Sequence, residues 1–142
     1  MKPNLTAVSG GSLVEKFDLG RKVAFIGRID HSVIRQFYES IDIYVALDDG
    51  PSEAKISVQE AMMCGCAVIS GESRVKDMAL KEEWGYIVNP YSVSDIRIAI
   101  NSLCCDPQEL SNMKNNAKRY ADDHFSENAI SKMYYNMFEE IV

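Results

Sequence analysis

The sequence predicts an α/β fold, a parallel sheet with helices on both faces. Short β-branched apolar runs alternate with segments of helical periodicity. The runs are apolar throughout, as expected of strands covered on both sides. The scale fits one globular domain: 142 residues, 46% hydrophobic and 25% charged, a balance that excludes a disordered or fibrous chain.

Taken in order, Leu5 to Ser9 reads as a first strand closed by Gly10 and Gly11, and Ser12 as the cap of a short helix through Leu13, Val14 and Phe17. Val23 to Ile26 is a second strand stopped by Gly27. Ser32 to Ile41 is helical, with Val33, Ile34, Phe37 and Ile41 on one side, and Ile43 to Leu47 is a third strand. Asp48 to Ser52 is loop chemistry. A helix from about Ile56 to Cys64 ends at Gly65, and Cys66 to Ser70 follows as a fourth strand. Val75 to Lys81 is helical, and Tyr86 to Val88 is a fifth strand ended by Asn89-Pro90. Three helices finish the chain, at about Ser94 to Cys104, Pro107 to Asp123 and Glu127 to Ile141, with starts at Asp106-Pro107 and Ser126. The whole of 1–142 is expected to be one domain with a helical tail from about 92, a tail that reads as core packing.

Charge and hydropathy exclude other classes. Fifteen Lys+Arg against 21 Asp+Glu leave a formal charge of −6, so a broad nucleic-acid face is not expected. No run approaches the roughly 18 to 20 apolar residues that span a bilayer, and the N-terminus lacks the apolar stretch of a signal peptide, which points to the cytoplasm. Cysteines at 64, 66, 104 and 105 have neither zinc-site nor redox-pair spacing and read as small buried hydrophobes in a reducing compartment.

In open parallel sheets, ligands bind beyond the carboxyl ends of the strands. That rim would carry Gly10, Gly11, Gly27, Arg28, the loop 48–55 and Ser70-Gly71-Glu72. The segment from Asp48 to Gly65 holds the most chemistry. A helix start near Ile56 and Ser57 offers unpaired backbone N–H groups and partial positive charge to a phosphate. Lys55 adds a full charge there. Glu60, about one turn further, can accept hydrogen bonds from vicinal hydroxyls such as those of a ribose. Spacing alone favours Glu60 as an exposed helix residue and Lys55 as a solvated loop charge.

The segment Glu60-Ala61-Met62-Met63-Cys64-Gly65-Cys66-Ala67-Val68-Ile69 resembles the EAMACGxPVV stretch of retaining glycosyltransferases of the GT-B fold, the large family 4 type. Leu5 to Gly11 is similar to that family's strand ending in GxG, and Val23 to Gly27 to its VxFLG strand. Phe37 to Val45 resembles YxxADVFVxPS, Gly85 to Pro90 resembles GLLVPP, and Phe125-Ser126 matches the FS before the last helix. The resemblance covers nearly all of the chain. It implies the C-terminal, Rossmann-like donor domain of a two-domain enzyme. Such a domain binds a nucleotide-diphospho-sugar, and the glycosyl group passes with retention to an acceptor held by the other domain, for example in polysaccharide biosynthesis. Glu60 would hold the ribose, Ile56 and Ser57 would face the diphosphate, and Gly27 and Arg28 would lie near the base. The resemblance implies neither metal nor cofactor, the nucleotide-sugar being a substrate.

The sequence departs from the family pattern at four places. Two acidic residues normally stand with seven between them; counting back from Glu60, the first position falls on Ser52, and Glu53 takes that catalytic place only if the loop is one residue shorter. Ala67 replaces a proline. Ser73-Arg74 replaces a Gly-Gly pair ahead of Asp77. Finally, the family's first strand–helix unit, with the Arg and Lys that grip the diphosphate, has no match, nor does the acceptor domain. The expected partner is therefore an N-terminal acceptor domain, in cis or as a separate subunit, with room for peripheral membrane association of the full enzyme; the lone domain is not expected to be active. Alternatives are a non-catalytic nucleotide-binding or scaffold module of the same fold, or a receiver-like or flavodoxin-like regulatory domain. The last lacks the acidic cluster near its first strand.

Remaining residues carry plainer expectations. His31 reads as a surface or cap residue, His124 as one that favours a helix end, and Trp84 as packing beside Gly85. Met62, Met63, Met113, Met133 and Met137 read as core. Glu139 and Glu140 read as solvated.

Overall fold

In a computed structural model of the chain, residues 11–47, 56–71 and 83–140 are described. The expected strand at 5–9, the loop at 48–55 and the helix at 75–81 lie outside them. The chain divides into two units, residues 1–34 and 35–142.

In the first unit, α1 (Gly11–Lys16) already includes Ser12, so the expected cap is a helical residue instead. The helix stops in a left-handed turn. Asp18 adopts φ 50°, its N–H reaches the Glu15 carbonyl at 3.1 Å, and the Leu19 N–H reaches Val14 at 2.9 Å. Val23–Ile26 is not assigned as a strand: no ladder among the described residues includes it, and Phe25 is 41% exposed. β-propensity makes a strand only where a neighbour completes the hydrogen bonds. Asp30 then caps a single 3₁₀ turn, His31–Val33, by accepting from the Ser32 N–H at 2.9 Å. His31 begins that turn and is exposed.

The predicted helix over 32–41 is thus split between this turn and α2 (Ile34–Glu39). Among the described residues the sheet of the second unit has three parallel strands in the order β1 (Ile43–Ala46), β2 (Ala67–Gly71), β3 (Gly85–Val88). Tyr44 pairs with Val68, and Val68 with Gly85. β2 is central and buried along its whole length, which is why Ala67-Val68-Ile69 shows no polar alternation. α3 (Ile56–Met63) connects β1 to β2. It ends where the sequence predicts: Gly65 takes φ 79°, its N–H bonds the Met62 carbonyl at 2.9 Å, and the Cys66 N–H bonds Ala61 at 3.0 Å. A left-handed residue at this position favours glycine.

The last three helices are α4 (Val93–Cys105), α5 (Pro107–Phe125) and α6 (Glu127–Glu139). Their starts follow from side-chain capping. The Asp106 carboxylate accepts from the N–H groups of Gln108 at 2.9 Å and Glu109 at 3.0 Å, with Pro107 at the first helical position. The Ser126 hydroxyl accepts from Ala129 at 3.2 Å.

Two apolar clusters cover the two faces of the sheet. On one, Tyr44, Ala46, Val68 and Ile87 meet Val58 and Met62 of α3 and Ala117, Tyr120 and Ala121 of α5, with Trp84 among them. On the other, Ile43, Leu47, Ala67, Ile69, Tyr86 and Val88 meet Ile96, Ala99, Ile100 and Leu103 of α4 and Leu110 and Met113 of α5. α5 serves both clusters because it passes the amino-terminal ends of the strands. Lys114 Nζ bonds Asp42 Oδ1 at 2.7 Å just before β1, and Asn116 Nδ2 donates to the Glu83 carbonyl at 3.3 Å just before β3.

The tail is core packing only in part. α6 buries no residue. Met133, Met137 and Met63 are exposed, whereas Met62 and Met113 are core as expected. Cys104 and Cys105 are likewise exposed, contrary to expectation, whereas Cys66 is buried. Among the described residues no helix is long and apolar enough to cross a membrane.

Candidate functional site

β1 and α3 set the site. β1 ends at Ala46, and α3, which begins at Ile56 and leads to the parallel strand β2, runs back against the strand direction, so its first turn stands at the carboxyl rim of the sheet. The first turn of any helix leaves N–H groups without intrahelical acceptors and concentrates positive potential. Ile56 occupies that turn and is 73% exposed, and Ser57 beside it is half-buried. Val58 and Met62 turn inward to the sheet and fix the helix about its axis.

Glu60 follows one turn on and is half-buried, not an exposed helix residue. Its Oε2 accepts a hydrogen bond from Tyr38 Oη at 3.3 Å. Tyr38 comes from α2 and is 4% exposed. Its ring stands edge-on to Tyr44 of β1, with centroids 5.6 Å apart and planes at 79°. Cys66 Sγ donates to the Tyr38 carbonyl at 3.3 Å. Burial pushes the Tyr38 hydroxyl well above the ordinary phenol range, with Tyr44 and Glu60 adding to the effect, so it stays a protonated donor at neutral pH. Tyr38 was legible only as part of the Phe37–Val45 motif; its pairing with Glu60 joins residues 22 apart in sequence.

Of the other predicted site residues, Gly10, Ser52, Glu53 and Lys55 lie outside the described residues. Gly11 is the first residue of α1 rather than part of a glycine turn. Gly27, with φ 65°, and the exposed Arg28 belong to the first unit. The structure therefore brings together Ile56, Ser57 and Glu60 on one helix and adds Tyr38 to them. Among the described residues no group of three His, Cys, Asp or Glu side chains could hold a metal.

A groove of about 500 Å³ lies at the opposite rim, where Glu83, Asp106 and Glu109 are among its lining residues. Tyr86 donates to Glu109 there, a bond that raises the affinity of the tyrosine for its proton. Three carboxylates repel an anionic diphosphate, so this groove is a poor setting for one.

The family model for glycosyl transferases group 1 matches residues 11–120. The chain belongs to that family. Solved structures carry the same fold. Sucrose-phosphate synthase from Thermosynechococcus elongatus superposes with a TM-score of 0.76 and 24% identity, over 92% of this chain and 33% of that one. The C-terminal domain of a glycosyl transferase group 1 family protein from Francisella tularensis gives 0.73 and 24%, over 82% and 60%. Anabaena HepE in complex with UDP gives 0.75 and 21%, over 91% and 35%. The chain thus spans about a third of the first and last of these proteins, and its fold is that of the GT-B glycosyltransferase C-terminal domain. No curated protein sequence matches it.

Proposed function

We propose that the chain is the donor-binding domain of a retaining glycosyltransferase. It binds a nucleotide-diphospho-sugar at the carboxyl rim of β1, with the diphosphate at the first turn of α3 and the ribose on Glu60. The observation that carries this is the place of Glu60: one turn inside a helix that starts at the rim, half-buried and already held by a hydrogen bond. Helix dipole and carboxylate then receive opposite ends of one ligand, the N–H groups taking phosphate and the carboxylate taking hydroxyls. Preorganised donors at the diphosphate stabilise the leaving nucleotide as its charge develops. Family membership supports this reading, as does the solution of HepE with UDP and with UDP-glucose.

Transfer also needs an acceptor held in line with the donor and sheltered from water. On this reading the acceptor site comes from further residues in cis or from a partner subunit, and the isolated domain binds donor without turning it over. Glycan or polysaccharide assembly at the cytoplasmic side is the corresponding setting. Ser52, at the place of the first motif acid, favours a second reading, a non-catalytic nucleotide-binding or scaffold module of the same fold.

The test is a thermal-shift titration with UDP, GDP, ADP, CDP and their common sugars. A ligand at 100 times its Kd adds about 2.7 kcal/mol of stability, worth a few degrees in a domain of this size. A shift with one base, abolished in Glu60→Ala, is the expected result. The absence of any shift at millimolar nucleotide overturns donor binding by this chain.

A further inference from the structure

We infer that Tyr38 is a positioning residue for Glu60, holding one carboxylate oxygen so that the carboxylate meets the ribose hydroxyls already oriented. The inference rests on the donor-site reading and deepens it. A glutamate on a helix has three side-chain torsions to lose on binding, and a ligand that must order it pays in affinity. Here the ordering is done in advance. Tyr38 Oη donates to Glu60 Oε2 at 3.3 Å. The donor itself is fixed from two sides: its ring stands edge-on to Tyr44 of β1, and its carbonyl accepts from Cys66 immediately before β2. The sheet thus sets the hydroxyl, and the hydroxyl sets the carboxylate. A carboxylate has about four acceptor positions, so one bond to Tyr38 leaves Oε1 and the second lone pair of Oε2 for two vicinal hydroxyls.

The charge logic agrees. A tyrosine that ionised near neutrality would repel Glu60. Burial keeps Tyr38 protonated and donating at neutral pH.

The experiment measures Kd by calorimetry for UDP, GDP, ADP and CDP, and for the dideoxy analogue of each, which lacks both ribose hydroxyls. The proteins are the full chain, Tyr38→Phe, Glu60→Ala and the double variant, each checked for native far-UV circular dichroism. Tyr38→Phe is expected to weaken binding of the hydroxyl-bearing nucleotide roughly three- to ten-fold, about one hydrogen bond's worth, and to leave the dideoxy analogue unchanged. In the Glu60→Ala background the same change should have no effect. Equal weakening of both ligands by Tyr38→Phe would mean a packing role only and overturns the inference, as does wild-type affinity in Tyr38→Phe while Glu60→Ala binds poorly. Wild-type affinity in Glu60→Ala, or no binding by any protein in the set, overturns the donor-site reading and the inference with it.

Discussion

Gly85 opens β3 with its Cα so close to β2 that a Cβ would stand 2.8 Å from the Val68 carbonyl oxygen. The two residues are register partners in the parallel ladder. The obstacle is the backbone of a buried strand, which cannot swing aside as a flexible side chain would.

Gly85→Ala should therefore force β3 off its register with β2, at a cost of about 1–3 kcal/mol. Gly20 is the control, since a Cβ there meets nothing within 4 Å. Urea unfolding followed by circular dichroism separates the two. A Gly85→Ala midpoint equal to that of Gly20→Ala would mean that the close approach is not what holds the strand pair in place.

Gly65 tests the conformation rather than the space around it. Its Cβ would meet only Lys118 Cδ, at 3.9 Å, but its φ is 79°. Gly65→Ala should cost about 1 kcal/mol through strain at the end of α3, and Gly65→Asn less, because asparagine tolerates the left-handed region. Equal costs for the two variants would refute the conformational argument.

Trp84 is 2% exposed and packs against Tyr120 with ring centroids 5.8 Å apart, yet its indole N–H has no hydrogen-bond partner among the described residues. Trp84→Phe removes the orphan donor along with some packing area, and the two effects oppose each other. Trp84→Ala removes packing on a much larger scale, at about 3–5 kcal/mol. The expected order of thermal midpoints is wild type close to Phe, then Ala far below. A phenylalanine variant as unstable as the alanine one would show that the indole nitrogen is satisfied in solution.

The four thiols should separate by exposure. Cys104 and Cys105 are exposed and should react with a chromogenic disulfide at pH 8 within minutes, while buried Cys66 should react only on unfolding. Burial pushes the Cys66 thiol up to about 11, above its usual value near 9. The folded state therefore holds this proton more tightly than the unfolded chain. Its contribution to stability is full below pH 9 and is lost as pH rises toward 11. The alkaline limb of the stability–pH curve should be shallower in Cys66→Ala than in wild type; superimposable limbs would count against the burial effect.

The Lys114–Asp42 pair ties α5 to the start of β1 at 2.7 Å, but the Asp42 side chain is 69% exposed. Lys114→Met should cost less than about 1 kcal/mol, and the difference should shrink further in high salt. A cost of several kcal/mol would show that the ion pair, rather than the apolar faces of α5, holds this helix in place.

What the sequence determined by itself was local. The alternation of apolar runs and helical segments specified a parallel sheet with helices on both sides, and Asp106, Ser126 and Gly65 marked helix ends correctly, because caps are decided by a few neighbouring backbone groups. Glu60 was singled out in the sequence by its place in a motif, and the structure finds it half-buried on α3. What only the tertiary structure decided was non-local. Val23–Ile26 has strand composition but belongs to no ladder among the described residues, because composition is a weak determinant of strand pairing without its tertiary setting. The methionines of α6 have core chemistry but stay exposed, because periodicity shows that a helix has an apolar face and not what lies against it. The meeting of Tyr38 with Glu60 depends on how α2 and α3 pack beside β1, a relation between elements that no spacing along the chain encodes.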